Sequence, residues 1–262
     1  MTIGILSIAT NIYLDYWKNL AQSVDDSFES TEEITLHVFT DQIDKVQTFA
    51  INLANVDVVA HEIEALGWPD ATLRRYEVFS RFMAEITEPI LVYLDADMLV
   101  KQDISRHVHN ALSISKIALV SHPGYWRKNK ISELSDSLRD PRSFLTALKT
   151  LVVNGKRGSW EDDQLSTAFV PKECRKHYVC GGTWMGYRSE MFQLIQTLKD
   201  AVEVDLANGI VAKWHDESHL NRWAASNSFN LLDPSFCFVK EYRHLSSLEA
   251  KIVAVTKEVS TR

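Results

Sequence analysis

Pro89-Ile90-Leu91-Val92-Tyr93-Leu94-Asp95-Ala96-Asp97 is the stretch on which the fold turns. Five apolar residues follow a proline and end directly in two aspartates. A short, unbroken apolar run is the pattern of a strand covered on both faces. Acids set just after such a strand are fixed to rigid scaffold. Residues two apart in extended chain share a face, so Asp95 and Asp97 can reach one site. Two bare carboxylates repel a diphosphate, and a divalent cation between them reverses that sign. Oxygen ligands suit magnesium or manganese. The alternative is an acidic turn or helix cap after a core strand.

Upstream of this run, Ile3 to Ala9 reads as a buried first strand, and residues 11–29 as a helix with Tyr13, Trp17, Leu20 and Val24 on one face. Residues 34–40 read as a second strand and Val56 to Val59 as a third. Leu73 to Glu85 is a helix candidate whose apolar face is Tyr76, Val78, Phe79, Phe82 and Met83. Strands and helices in this order predict an α/β fold with a mostly parallel central sheet flanked by helices. Sites in such sheets lie beyond the carboxyl ends of the strands, which is where Asp95 and Asp97 fall.

The second half is less regular. Ile117 to Ser121 reads as a strand, Ser143 to Val153 as a helix and Asn154-Gly155 as a turn. Glu190 to Lys199 and Asp216 to Ala225 read as further helices. Cys180-Gly181-Gly182-Thr183-Trp184-Met185-Gly186 sets three glycines near an aromatic; either the backbone approaches a ligand closely there or a tight turn feeds a strand. It does not match the G-x-G-x-x-G dinucleotide pattern.

The densest polar cluster is Trp214-His215-Asp216-Glu217-Ser218-His219-Leu220-Asn221. His215 and His219 sit one helical turn apart, but the zinc-protease pattern needs Glu directly after the first histidine, and Asp216 stands there. Asp216 or Ser218 can cap a helix. A carboxylate held at a pocket edge can instead steady an oxocarbenium-like sugar or act as a nucleophile. Arg74 and Arg75 are either a phosphate clamp at a helix start or surface charge. Tyr13 is a stacking residue or a core tyrosine. His122 closes a strand, where it can meet a sugar hydroxyl. Lys251, Lys257 and Arg262 screen a diphosphate or simply solubilise the tail.

Composition narrows the class. The chain has 262 residues, 45% hydrophobic, enough for one large domain or two lobes sharing a sheet. Lys and Arg total 28 against 35 Asp and Glu, a net charge of -7 that works against nucleic-acid binding. No window is apolar enough to span a bilayer, and the amino end lacks a signal-peptide pattern. Three cysteines without CxxC spacing read as reduced thiols, and a cytoplasmic location is expected.

Together these residues resemble the retaining glycosyltransferase family of the blood-group A and B transferases and the α-1,3-galactosyltransferase (family 6). The matching pieces are Trp68 to Arg75, Tyr93 to Asp97, His122 to Tyr125, Tyr178 to Gly186, and Ala207 to Ile210 followed by Trp214 to Asn221. The similarity runs from about residue 3 to residue 239. It implies a GT-A fold whose Rossmann-like nucleotide-binding half covers about 1–100 and ends in the DxD. An acceptor and catalytic half would follow over about 101–240, with a basic tail over 241–262 that closes over the donor, all in one domain.

The resemblance also implies the chemistry: transfer of GalNAc or Gal from UDP-GalNAc or UDP-Gal to the 3-hydroxyl of a galactose-terminated glycan, with retention. Manganese, or magnesium, would be held by Asp95 and Asp97. Ile8, Ala9 and Tyr13 fall around the uracil, and Arg75, Cys180, Gly181, Gly182 and Asp216 on the donor. His122, Trp214 and Glu217 fall on the acceptor side, with Glu217 also the candidate nucleophile or ion-pair carboxylate. Lys257 and Arg262 fall on the tail. Glycine at 182 leaves room for an N-acetyl group.

Three departures stand out. The animal enzymes' amino-terminal anchor and stem are not matched; Asp95 and Asp97 are both kept where many bacterial relatives carry asparagines and work without metal; and the acceptor side differs, with a long 130–160 stretch and no late Asp near Val239. A UDP-sugar hydrolase and a non-catalytic sugar-binding module are the competing functions.

Overall fold

The structure is a computed structural model that describes residues 2–27, 32–127 and 157–256. The helix expected over Ser143 to Val153, the turn at Asn154-Gly155, and Lys257 and Arg262 lie outside the described residues.

The chain runs β1 (Ile3–Ile8), α1 (Tyr13–Ser27), β2 (Ile34–Thr40), α2 (Ile43–Ala50), β3 (Asp57–Glu62), α3 (Asp70–Leu73), α4 (Arg75–Arg81), β4 (Ile90–Leu94) and β5 (Met98–Val100). It continues through α5 (Ser105–Ile114), β6 (Ile117–Ser121), β7 (Val179–Tyr187), α6 (Arg188–Ala207), α7 (His215–Ala224), β8 (Asn230–Leu232) and β9 (Ile252–Ala254). Seven strands form one sheet in the order β3-β2-β1-β4-β7-β6-β8. Only β7 runs against its neighbours; the other pairings are parallel. The result is an α/β fold of the GT-A kind.

Alternation along the strands explains why they read as unbroken apolar runs. Ile3 and Ile5 of β1 and Ile90, Val92 and Leu94 of β4 face one core, with Trp17, Leu20 and Val24 of α1 and Val108 of α5. Leu6 and Ile8, with Leu91 and Tyr93, face the other, packed by Tyr76 and Phe79 of α4 and by Leu194, Ile195 and Leu198 of α6. Both faces are covered, so both sets of side chains are buried. A fully buried Leu or Phe contributes roughly 1.5–3 kcal/mol.

Five local readings change. Helix α2 is an element not expected above, although Ile43, Val46, Phe49 and Ala50 recur at three- and four-residue spacing; it is short and only Val46 is buried. Strand β3 begins and ends later than Val56 to Val59, because it is an edge strand with alternating exposure. The helix expected over Leu73 to Glu85 stops at Arg81; Phe82 and Met83 continue the apolar pattern by packing as loop residues. The glycine-rich 179–187 segment is one strand throughout. Helix α6 outruns its expected end and stops where Gly209 takes φ +72, with Ile210 N donating to Asp205 O at 2.8 Å, a Schellman-type close.

This topology gathers one edge. Leu6 pairs with Tyr93, so the carboxyl ends of β1 and β4 emerge together. Because β7 is antiparallel, with Leu94 opposite Thr183, its amino-terminal residues Cys180 to Gly182 arrive at the same edge. The end of β6 joins them, with Ser121 opposite Val179. Among the described residues no helix is long and apolar enough to cross a membrane.

Candidate active site

Arg75 is the hub. It opens α4, is 4% exposed, and places its fork among three acceptors. Its Nη1 lies 3.2 Å from Asp216 Oδ2 and donates to Gly181 O at 3.0 Å, while Nη2 lies 3.3 Å from Asp95 Oδ1. The guanidinium also sits over the Tyr93 ring, 4.8 Å from its centroid. Burial opposes its charge, but Asp216, Tyr93 and Asp95 outweigh that and raise its pKa further. The phosphate-clamp or surface-charge alternative thus splits: Arg74 is a half-exposed residue near Asp70 and Glu77, and Arg75 is buried in the site.

Asp216 and Glu217 stand in the first turn of α7. Burial pushes Asp216 up to about 7 against the pull of Arg75. Burial also raises Glu217, while the Gly181 N–H and the Tyr178 hydroxyl draw it back. Tyr178 Oη donates to Glu217 Oε1 and Gly181 N to Oε2, both at 2.8 Å. Asn221, one turn later, spans Val179: it accepts from Val179 N and donates to Val179 O, both at 2.9 Å, and donates to Glu217 O. Two side chains thus lock the helix to the start of β7.

Neither Asp216 nor Ser218 is the capping residue of α7; both lie inside the helix. The capping position belongs to Trp214, and Ser218 Oγ accepts from Trp214 N at 2.9 Å. His215 takes φ +46, a left-handed conformation that costs a residue with a Cβ about 1 kcal/mol or more. It is held there by Thr72 Oγ1, 3.1 Å from Nδ1, and by the edge of Trp68. His219 points elsewhere, toward Thr167 and Asp205. The two histidines do not converge on a metal.

Two cavities meet at the hub. One, of about 350 Å³, is bounded by Ile8, Tyr13, Trp68, Arg75, Asp95 and Asp97. The other, of about 360 Å³, is bounded by Arg75, His122, Tyr178, Gly182, Asp216 and Glu217, with Trp214 at its mouth. Thr72, Arg75 and Asp95 border both. Ile8, Tyr13, Arg75, Asp95, Asp97, His122, Gly181, Gly182, Trp214, Asp216 and Glu217 are therefore brought together. Ala9 and Cys180 are not: Ala9 is fully buried, and Cys180 turns to the opposite core beside Cys237. The tail strand β9 pairs with β5, and Val255 N donates to Asp97 O at 2.9 Å. Lys251 is engaged away from the cavities, on Ser235 and over Phe236.

Asp95 and Asp97 suit a hard cation. Among the described residues no group of three or more His, Cys, Asp or Glu side chains could enclose a metal alone. Two carboxylates beside an open cavity fit magnesium or manganese, which take remaining ligands from phosphate and water. Asp95 Oδ1 already accepts from Tyr93 Oη and faces Arg75, so its second oxygen is the one turned to Gly182.

Thr72, Tyr125 and Tyr178, which lie inside the matching stretches without an assigned role, and Ser159, which lies outside them, also line the second cavity. Ser159 arrives through long-range pegs: Glu161 accepts from Lys213 N at 2.6 Å, and Asp205 accepts from Thr167 N at 2.7 Å.

The family model for glycosyltransferase family 6 matches residues 144–261, which hold β7, α6 and α7. The chain thus resembles glycosyltransferase family 6. It is 25% identical to the histo-blood group ABO system transferase 1 of Rattus norvegicus, over 98% of its own length and 67% of that protein. It is 26% identical to the O-antigen biosynthesis glycosyltransferase WbnI of Escherichia coli, over 98% and 96%. It is 23% identical to the globoside alpha-1,3-N-acetylgalactosaminyltransferase 1 of Gallus gallus, over 90% of its length but only 61% of that protein. It is a glycosyltransferase.

Proposed function

We propose that this enzyme moves GalNAc or Gal from a UDP-linked donor to the 3-hydroxyl of a galactose-type acceptor, with retention. The observation that carries this reading is the junction of two cavities at Arg75, with the paired acids of β4 on one side and those of α7 on the other. A nucleotide in the first cavity directs its diphosphate toward Asp95 and Asp97 and its sugar toward Asp216 and Glu217.

Asp95 and Asp97 would hold manganese, which offsets negative charge on the leaving diphosphate when bound. Arg75 fixes Asp216 and Asp95 relative to each other. Asp216 accepts from a donor-sugar hydroxyl. Glu217, oriented by Tyr178 and Gly181, faces the anomeric carbon and stabilises the positive charge that grows there, or attacks it. Buried and hydrogen-bonded, the carboxylate is preorganised for that charge. His122 is held neutral: burial pushes it down to about 4. Its Nδ1 accepts from Gly124 N at 3.1 Å, which leaves the proton on Nε2 for an acceptor oxygen. Glycine at 182 keeps the cavity wall free of a side chain beside the donor sugar, as an N-acetylated donor needs, and a Cβ there would also meet Asp95 Oδ2 at 2.8 Å.

The test is incubation with manganese and a panel of UDP-sugars, with and without galactose-terminated acceptors. Mass spectrometry and NMR identify the product and its anomeric configuration. An α-1,3 product supports the reading. Donor cleavage by water at the same rate without acceptor, or inversion, removes it.

A further inference from the structure

A third cavity, of about 410 Å³, lies behind the acceptor side and is not used by the mechanism above. It is lined by Ser121, Tyr125, Trp126, Arg127, Arg157, Lys176, His177, Tyr178 and Leu231. Arg127, Arg157, Lys176 and a histidine line it, and among the described residues no carboxylate does, in a chain of net charge -7. A concave surface of one sign focuses its field on a ligand of the other.

Its position joins it to the catalytic cavity. Tyr125 and Tyr178 border both spaces. Their rings pack edge to face at 5.1 Å, and the Tyr178 hydroxyl is the one that holds Glu217. The third cavity thus begins one tyrosine side chain from the reacting centre. Arg127 is set in its wall by Gly124 O and Trp126 O and lies 3.2 Å from His244 Nε2. Lys176 is exposed and Arg157 half-buried, so both can reach a ligand. Tyr125 and Trp126 add aromatic surface for the CH faces of a sugar ring.

We propose that this cavity is an acceptor subsite for an anionic group. The acceptor saccharide carries a carboxylate or a phosphate next to the galactose that receives the transferred sugar. This rests on the transferase reading above and specifies its acceptor.

The experiment uses three matched acceptors: lactose, galactosyl-β-1,4-glucuronate and lactose 1-phosphate. Each presents the same terminal galactose. With saturating UDP-GalNAc, kcat/KM for at least one charged acceptor should exceed that for lactose by about tenfold, the scale of a charge-assisted hydrogen bond at a partly exposed site. Which one does so separates carboxylate from phosphate. Raised ionic strength should shrink the preference. Arg157→Gln combined with Lys176→Gln should erase it while leaving lactose within about twofold, the usual reach of a surface substitution. Equal use of all three acceptors, or a parallel fall for all in the double variant, overturns the subsite. Should none be glycosylated, the transferase reading fails separately. Calorimetric binding of the three saccharides to parent and double variant then decides the subsite alone: tighter binding of a charged ligand, lost in the variant, supports it, and equal binding overturns it.

Discussion

The Tyr178 hydroxyl donates to Glu217 Oε1 at 2.8 Å across 39 positions of sequence. This bond, with the one from Gly181 N, fixes both oxygens of the carboxylate that faces the second cavity. Glu217→Gln should leave UDP binding largely intact and cut transfer by roughly a hundredfold or more, the scale of losing a transition-state electrostatic partner. Tyr178→Phe should be milder. Its hydroxyl lowers the Glu217 pKa, so removing it moves the acid limb of the kcat/KM profile to higher pH. Radiochemical transfer assays across pH read both effects, and an unchanged rate in Glu217→Gln discards the assigned role.

Arg75 neutralises two acids in a buried place. Arg75→Met should destabilise the fold by about 3 kcal/mol, the low end for breaking a buried pair, because Asp216 can relieve its charge by taking up a proton. Arg75→Lys should recover part of that, since the charge returns without the fork that reaches Asp95, Asp216 and Gly181 together. Urea denaturation measures the difference.

Gly182 has no room for a side chain. A Cβ would lie 2.8 Å from both Asp95 Oδ2 and Met98 Cε. Gly182→Ala should displace Asp95, weaken manganese-dependent UDP binding and cost about 1–3 kcal/mol of stability. Gly67→Ala, which meets nothing within 4 Å, is the control and should leave stability unchanged or slightly raised.

His122 gives stability a pH slope. Burial pushes its folded pKa from 6.5 down to about 4. The unfolded chain therefore binds more protons between those values, and stability falls as pH drops through that window. At about 1.4 kcal/mol per pH unit, up to about 3 kcal/mol is lost by pH 4. Above pH 6.5 this contribution is flat. His122→Asn should remove that component of the slope in denaturant titrations run from pH 7 to 4.

The acidic pair after β4 should govern metal-dependent binding. Asp95→Asn combined with Asp97→Asn should abolish the manganese requirement together with most UDP affinity, seen by calorimetry with and without chelator. An unchanged metal titration in the double variant removes these residues from the site.

The residues alone determined a good deal. The unbroken run 90–94 ending in two acids specified a sandwiched strand and the edge at which both cavities open, because burial on both faces and the period of a strand are local properties. The motif residues 214–221 carried the helix and its acids for the same reason. Tertiary structure alone decided which alternatives hold. Arg75 became a hub and Arg74 did not, since one is buried where α4 meets β4, β7 and α7. Tyr178 and Asn221 gained their roles by pairing across about 40 positions, and the antiparallel insertion of β7 delivered Gly181 and Gly182 to the ends of parallel strands. Side-chain partners that distant are set by topology, and no periodicity or spacing in the chain records them.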